Sequence, residues 1–219
     1  MRHASAPRRL ADSAVPGVRY SEGMVPALHA DDAGAWACRT ADVTPEWFPH
    51  ASWLHGMSHT RRVHIHARRL VRELNWTEDD ARVVLSAALW HDIGRVDDGR
   101  DPRHGARGAA RVVELGLHAS LSEADARVAL FAIRYHCRDD DHGALRAACQ
   151  DDPARALRIL WLLKDADALD RVRLAPPGAG AFEVDSSMLR HDCTPGMIDY
   201  AVELLQAMPQ SRTSAPPAG

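Results

Sequence analysis

The chain has 219 residues, 46% of them hydrophobic and only 5% aromatic, which is enough apolar material for a single core and leans toward helix over sheet. Its formal charge of −3 excludes the broad basic field that draws nucleic acid or an anionic membrane. No apolar run approaches the roughly 18 residues that cross a bilayer. No signal-peptide core opens the chain, and Cys38, Cys137, Cys149 and Cys193 form no Cys-x-x-Cys pair, so reduced thiols in a cytoplasmic protein are expected.

Residues 1–42 mix Pro, Gly, Arg and Asp with weak periodicity and read as a partly irregular extension. Thr44-Pro45-Glu46 predicts an N-cap, a proline at the first helical position and an acidic first turn. A helix from about Ser58 to Leu74 places Val63, Ala67, Leu70, Val71 and Leu74 on one face. Thr77, with Asp80 three residues on, caps the next helix, which runs to His91 and is expected to stop at Gly94. A third helix spans about Arg103 to Leu115 before Gly116, and Ser122 with Asp125 opens a fourth that ends at His136. Asp152-Pro153 starts a long helix through Asp167; Ala175–Ser187 reads as a loop; Thr194-Pro195 begins a final helix closing near Met208. The domain therefore spans 43–208 as an all-α, irregular helical bundle, followed by a Pro/Ser-rich tail at 209–219 that is expected to be disordered.

The sharpest local feature is Trp90-His91-Asp92-Ile93-Gly94, where an apolar helix face ends in an adjacent imidazole and carboxylate. Together they offer a neutral nitrogen and a hard oxygen, a mixture suited to Mn, Fe, Zn or Mg. The plainer reading is a helix terminus with a favourable His⁺ in its last turn. Polar groups recur at the edges of other apolar helices: His59, His104, His136 and Asp167. Asp167 follows Leu160 and Leu163 at helical spacing, so its stripe faces the core, where an acid needs a partner. Asp165 competes for the same role, and otherwise reads with Asp170 as a solvated or supporting acid, Asp170 pairing with an arginine. His64 and His66 read as surface or supporting residues. His50, His55, His118, His142 and His191 read as solvated or hydrogen-bonded, Cys137 as a small buried residue, and Asp139-Asp140-Asp141 as a solvated loop.

The order His59, His91-Asp92, Asp167 resembles the HD superfamily of metal-dependent phosphohydrolases. His91-Asp92-Ile93-Gly94 matches the HDIG form of its central motif, and Ala166-Asp167-Ala168-Leu169 resembles its terminal Ala-Asp-x-Leu. The likeness covers roughly residues 55–172. It implies an HD-type bundle in which His59, His91, Asp92 and Asp167 hold a divalent metal such as Mn, Fe or Mg. His104 and His136 fall where binuclear members place two further histidines, which would make Asp92 a bridge between two ions. A metal-activated water would then hydrolyse a phosphate ester of a small molecule, a nucleotide being one such class. Asp92 would be central to catalysis, with Lys164 (the sole lysine), Arg62 and Arg61 as phosphate contacts. The same six ligands suit an HD-fold di-iron oxygenase, and a metal-stabilised module without catalysis is a third reading. No downstream motif points to the cyclic-dinucleotide branch and no synthetase domain accompanies the site. Oligomeric state is not legible.

Overall fold

A computed structural model describes residues 42–175 and 184–209. The expected extension up to residue 41, the tail from residue 210 and the loop at 176–183 lie outside them. The described residues form seven α-helices and no strand: α1 (Met57–Glu73), α2 (Glu78–Trp90), α3 (His104–Glu114), α4 (Glu123–Tyr135), α5 (Asp140–Ala147), α6 (Pro153–Leu169) and α7 (Ile198–Ala207). This is the all-α bundle that the helix signals predict. None of these helices is long and apolar enough to cross a membrane.

The helix starts follow their capping residues. Thr77 Oγ1 accepts from Asp80 N at 3.3 Å, Ser122 Oγ from Asp125 N at 3.2 Å, and Asp152 Oδ1 from Arg155 N at 2.9 Å, each satisfying a donor that the first turn leaves without an intrahelical partner. Helix α2 packs on α1, α4 and α6. Nine of its residues, including Val83, Val84, Leu85, Leu89 and Trp90, are buried, as a helix surrounded by others requires. Burying a leucine such as Leu85 or Leu89 stabilises the fold by about 1.5–3 kcal/mol.

Four expectations are revised. Thr44 makes no side-chain cap, and the proline after it starts only a 3-10 turn, Pro45–Trp47. Gly94 does not end α2 through a left-handed turn; the positive-φ glycine among the described residues is Gly116, at 69°. Gly94 instead permits contact, because a Cβ there would sit 2.0 Å from Gly108 N. Asp139-Asp140-Asp141 is no loop: Asp139 accepts from His142 N at 2.9 Å and caps α5, with the next two acids in its first turn, where the helix dipole favours them. The last helix begins as a 3-10 turn, Thr194–Met197, before α7.

One arginine joins the starts of three helices. Arg155 Nε donates to Asp80 Oδ1 at 2.6 Å and its Nη2 to Asp125 Oδ1 at 2.7 Å, joining the first turns of α2, α4 and α6. His91 lies 11 residues beyond Asp80, His136 lies 11 beyond Asp125, and Asp167 lies 12 beyond Arg155. At 1.5 Å per residue each helix carries its polar terminus about 17 Å from the clamp. The three helices start together and deliver His91, His136 and Asp167 to one end.

Candidate metal centre

At that end each helix terminus orients its own imidazole. His91 Nδ1 lies 2.8 Å from Ala88 O, His136 Nδ1 2.7 Å from Ile133 O, and His104 Nδ1 2.5 Å from Asp101 O. A carbonyl only accepts, so each Nδ1 carries the proton and each Nε2 the lone pair. His59, in the first turn of α1, places Nδ1 2.7 Å from Asp170 Oδ2, and Asp170 is fixed by Arg62 Nε and Nη2 at 2.6 and 3.0 Å. This is the supporting carboxylate that orients a ligating histidine.

The Nε2 atoms then meet in two pairs. His59 and His91 lie 3.1 Å apart, and His104 and His136 lie 2.8 Å apart. Asp92 is shared between them: Oδ2 lies 3.5 Å from His59 Nε2 and 3.8 Å from His91 Nε2. Oδ1 lies 3.2 Å from His104 Nε2 and 3.6 Å from His136 Nε2. Asp167 Oδ1 joins the first pair, 3.3 Å from His59 Nε2 and 3.9 Å from His91 Nε2. Metal–nitrogen bonds of about 2.0–2.1 Å place neighbouring donor atoms about 3–3.5 Å apart, close to these spacings. Between His104 and His136 two facing lone pairs repel, and Asp92 Oδ1 is buried without a hydrogen bond. Cations between the pairs would satisfy every one of these atoms, so the residues fit one or two divalent ions.

The protonation pattern agrees. Burial pushes His91 down to about 3 and His104 down to about 4, each helped by neighbouring imidazoles, so both are neutral at neutral pH, the form that a metal ligand requires. Burial and Arg173 lower His59 too, but hydrogen bonds to Asp167, Asp170 and Asp92 carry it up to about 9. A proton there occupies the place of a cation. Burial alone would raise Asp92, yet the surrounding histidines hold it well below the usual carboxylate range.

The HD domain family model matches residues 56–172, just over half of the chain. The chain belongs to the HD-domain family. No curated protein and no solved structure matches it. Within this HD domain the cluster opens onto a cavity of about 690 Å³, lined by Asp92, His104, His136 and Asp167 and, further out, by Arg138, Lys164, Arg171 and Arg190.

All six residues expected to hold metal — His59, His91, Asp92, His104, His136 and Asp167 — are brought together. Asp167 differs in one respect: its side chain is 32% exposed. Its stripe with Leu160 and Leu163 does run along the core, but α6 ends at the cavity mouth. Asp165, read as a solvated or supporting acid, is fully buried, accepting from Arg190 N at 2.9 Å, His191 N at 2.9 Å and Thr194 Oγ1 at 2.9 Å.

Two of the three expected phosphate contacts, Arg61 and Arg62, do not line the cavity. Arg62 is fully buried, with Nη1 donating to Met208 O at 2.8 Å; bound to Asp170, it supports His59 and has no face toward the cavity. Arg61 Nη2 reaches Val43 O at 3.2 Å. Lys164 does line the cavity, but its ammonium donates to Arg138 O at 2.7 Å and pairs with Asp140. His64 and His66, read as surface or supporting residues, are buried, and burial pushes His66 down to about 4. The sequence reading missed His55, whose Nδ1 lies 3.1 Å from Asp92 Oδ2. Its neighbourhood is a turn, without the periodicity that marked the six expected residues.

Proposed function

We propose that this HD domain is a metal-dependent phosphohydrolase that cleaves a phosphate ester of a small molecule, with nucleotides as the first class to test. The observation that carries the reading is Asp92. Its two oxygens serve two imidazole pairs whose lone pairs converge, beside a cavity wide enough for a small substrate.

Ions of the Mn, Fe or Mg class, held by His59, His91, Asp92 and Asp167 and by Asp92, His104 and His136, supply an acidified water and charge neutralisation at the phosphoryl group. The protein's own share is positioning. Asp92 fixes the spacing of the two halves, Asp170 and Arg62 hold His59, and the i−3 carbonyls hold the other rings. Arg138 and Arg171 line the cavity and touch a carbonyl and a thioether, Pro102 O at 3.4 Å and Met188 Sδ at 3.5 Å. Such weak contacts leave their guanidinium groups suited to phosphate oxygens, a role first expected of Arg61 and Arg62.

The test is metal analysis of protein purified without added metal, joined to a phosphatase screen of the same sample with Mn or Mg. Phosphate release that depends on the metal supports the reading; a metal-loaded protein inert to every phosphate ester would overturn it. The six-ligand set also suits two irons, so iron content with oxygen-dependent turnover would favour oxygenase chemistry. An open cavity beside the cluster speaks against a purely structural ion, which protein would enclose completely.

A further inference from the structure

His55 lies in the turn before α1 and is held there from several directions. Its backbone N donates to Ser52 Oγ at 2.6 Å, and Ser52 Oγ in turn bonds Asp98. Arg173 donates from Nε to the neighbouring Leu54 O at 3.0 Å and from Nη1 to Asp170 O at 3.0 Å. With two of its nitrogens fixed, the planar guanidinium aims Nη2 at His55 Nδ1, 3.1 Å away.

A guanidinium can only donate, so a bond from Arg173 uses the His55 Nδ1 lone pair. The same nitrogen lies 3.1 Å from Asp92 Oδ2, a contact that either a proton on Nδ1 or a cation between the two atoms would satisfy. His55 Nδ1, His59 and Asp92 also lie within 4.8 Å of one another, and the rings of His55 and His59 meet edge to face with centroids 5.7 Å apart. The imidazole is therefore held with Nδ1 facing Asp92 by an arginine that also bonds Asp170.

Resting on the metal-centre reading above, we infer that His55 Nδ1 is a further ligand of the ion held by His59, His91, Asp92 and Asp167. With an ion bound, His55 Nδ1 would give its lone pair to the metal in place of Arg173 Nη2. The two halves of the site then differ. One ion has five protein ligands, three of them imidazoles; the other, at Asp92, His104 and His136, has three. Positions open to water and substrate are concentrated at the second ion.

The test uses the full chain and cobalt(II) as the probe, followed by titration calorimetry and by its visible d–d absorption. His55→Ala is expected to weaken the tighter cobalt step by about tenfold or more and to change its d–d band. His104→Ala is expected to weaken the other step. A titration and spectrum of His55→Ala identical to the unaltered chain overturn the inference while leaving the metal centre standing. If His55→Ala does not fold, proton NMR of the unaltered chain with one equivalent of cobalt decides. Contact-shifted, exchangeable imidazole N–H signals from His55, His59 and His91 support the inference; signals from His59 and His91 alone overturn it. A chain that takes up no cobalt sinks the metal centre itself and this inference with it.

Discussion

Asp165 and Asp167 are two residues apart on one helix, yet their surroundings are opposite in kind. Asp165 is ringed by donors: the N–H groups of Arg190 and His191, the Arg190 guanidinium and the Thr194 hydroxyl. Its charge is answered by protons, and it ties residues 190–194 to α6. Asp167 faces His59 and His91, and through them Asp92, where donors are fewer than acceptors. The lesson is that a carboxylate on a core-packed helix is not informative by itself. What surrounds it decides between a fastening and a ligand.

The sharpest way to break this contrast is Asp92→Ala. We expect metal affinity at both halves to fall by at least about a hundredfold, and turnover with it, read by metal content after dialysis and by phosphate release. Retained metal in that variant would mean that the facing imidazoles are satisfied in some other way. Asp165→Ala should do the opposite. Removing one partner of a buried, charged network costs about 3–5 kcal/mol, measured by urea unfolding, while the folded fraction keeps its metal. Loss of metal without loss of stability would reverse the assignment of the two acids.

Smaller effects sharpen the picture. Arg171→Ala should raise KM by about tenfold, equivalent to about 1.4 kcal/mol of binding, with metal content unchanged. An unaltered KM would remove Arg171 from the substrate path. The mildest prediction concerns pH. Burial raises the Asp165 carboxyl, but its bonds to His191 and Arg190 hold it below its ordinary value. A depressed folded value means that the stabilisation is complete above the unfolded value of about 3.9 and fades as pH drops through the folded one. The stability gap between Asp165→Asn and the unaltered chain should therefore be constant from neutral pH down to about 4 and narrow below it. Urea midpoints across that range would show it.

Much of the site is legible in the sequence because its residues mark helix ends. His91 and His136 follow apolar helical faces directly, His104 opens one, and Asp167 continues a leucine stripe. What is hidden depends on partners far along the chain. Arg62 looks like any basic residue beside His59 until Asp170, 108 positions later, is seen holding it. His55 sits in a turn and is drawn to the cluster by Arg173, 118 residues away. Helix α5 was obscured by its own acids: three aspartates in a row suggest solvent, but one caps and two complement a dipole.

The Arg155 clamp turns three helices into a gauge of fixed length, measured from Asp80, Asp125 and Arg155 itself. A single residue added between Asp80 and His91 would advance the terminus by about 1.5 Å and swing the imidazole by about 100°. No side-chain rotation recovers such an error at a centre whose donor atoms are spaced to a few tenths of an ångström. This bundle can therefore absorb many exchanges of one residue for another along α2, α4 and α6, but not a change in how many residues those spans contain.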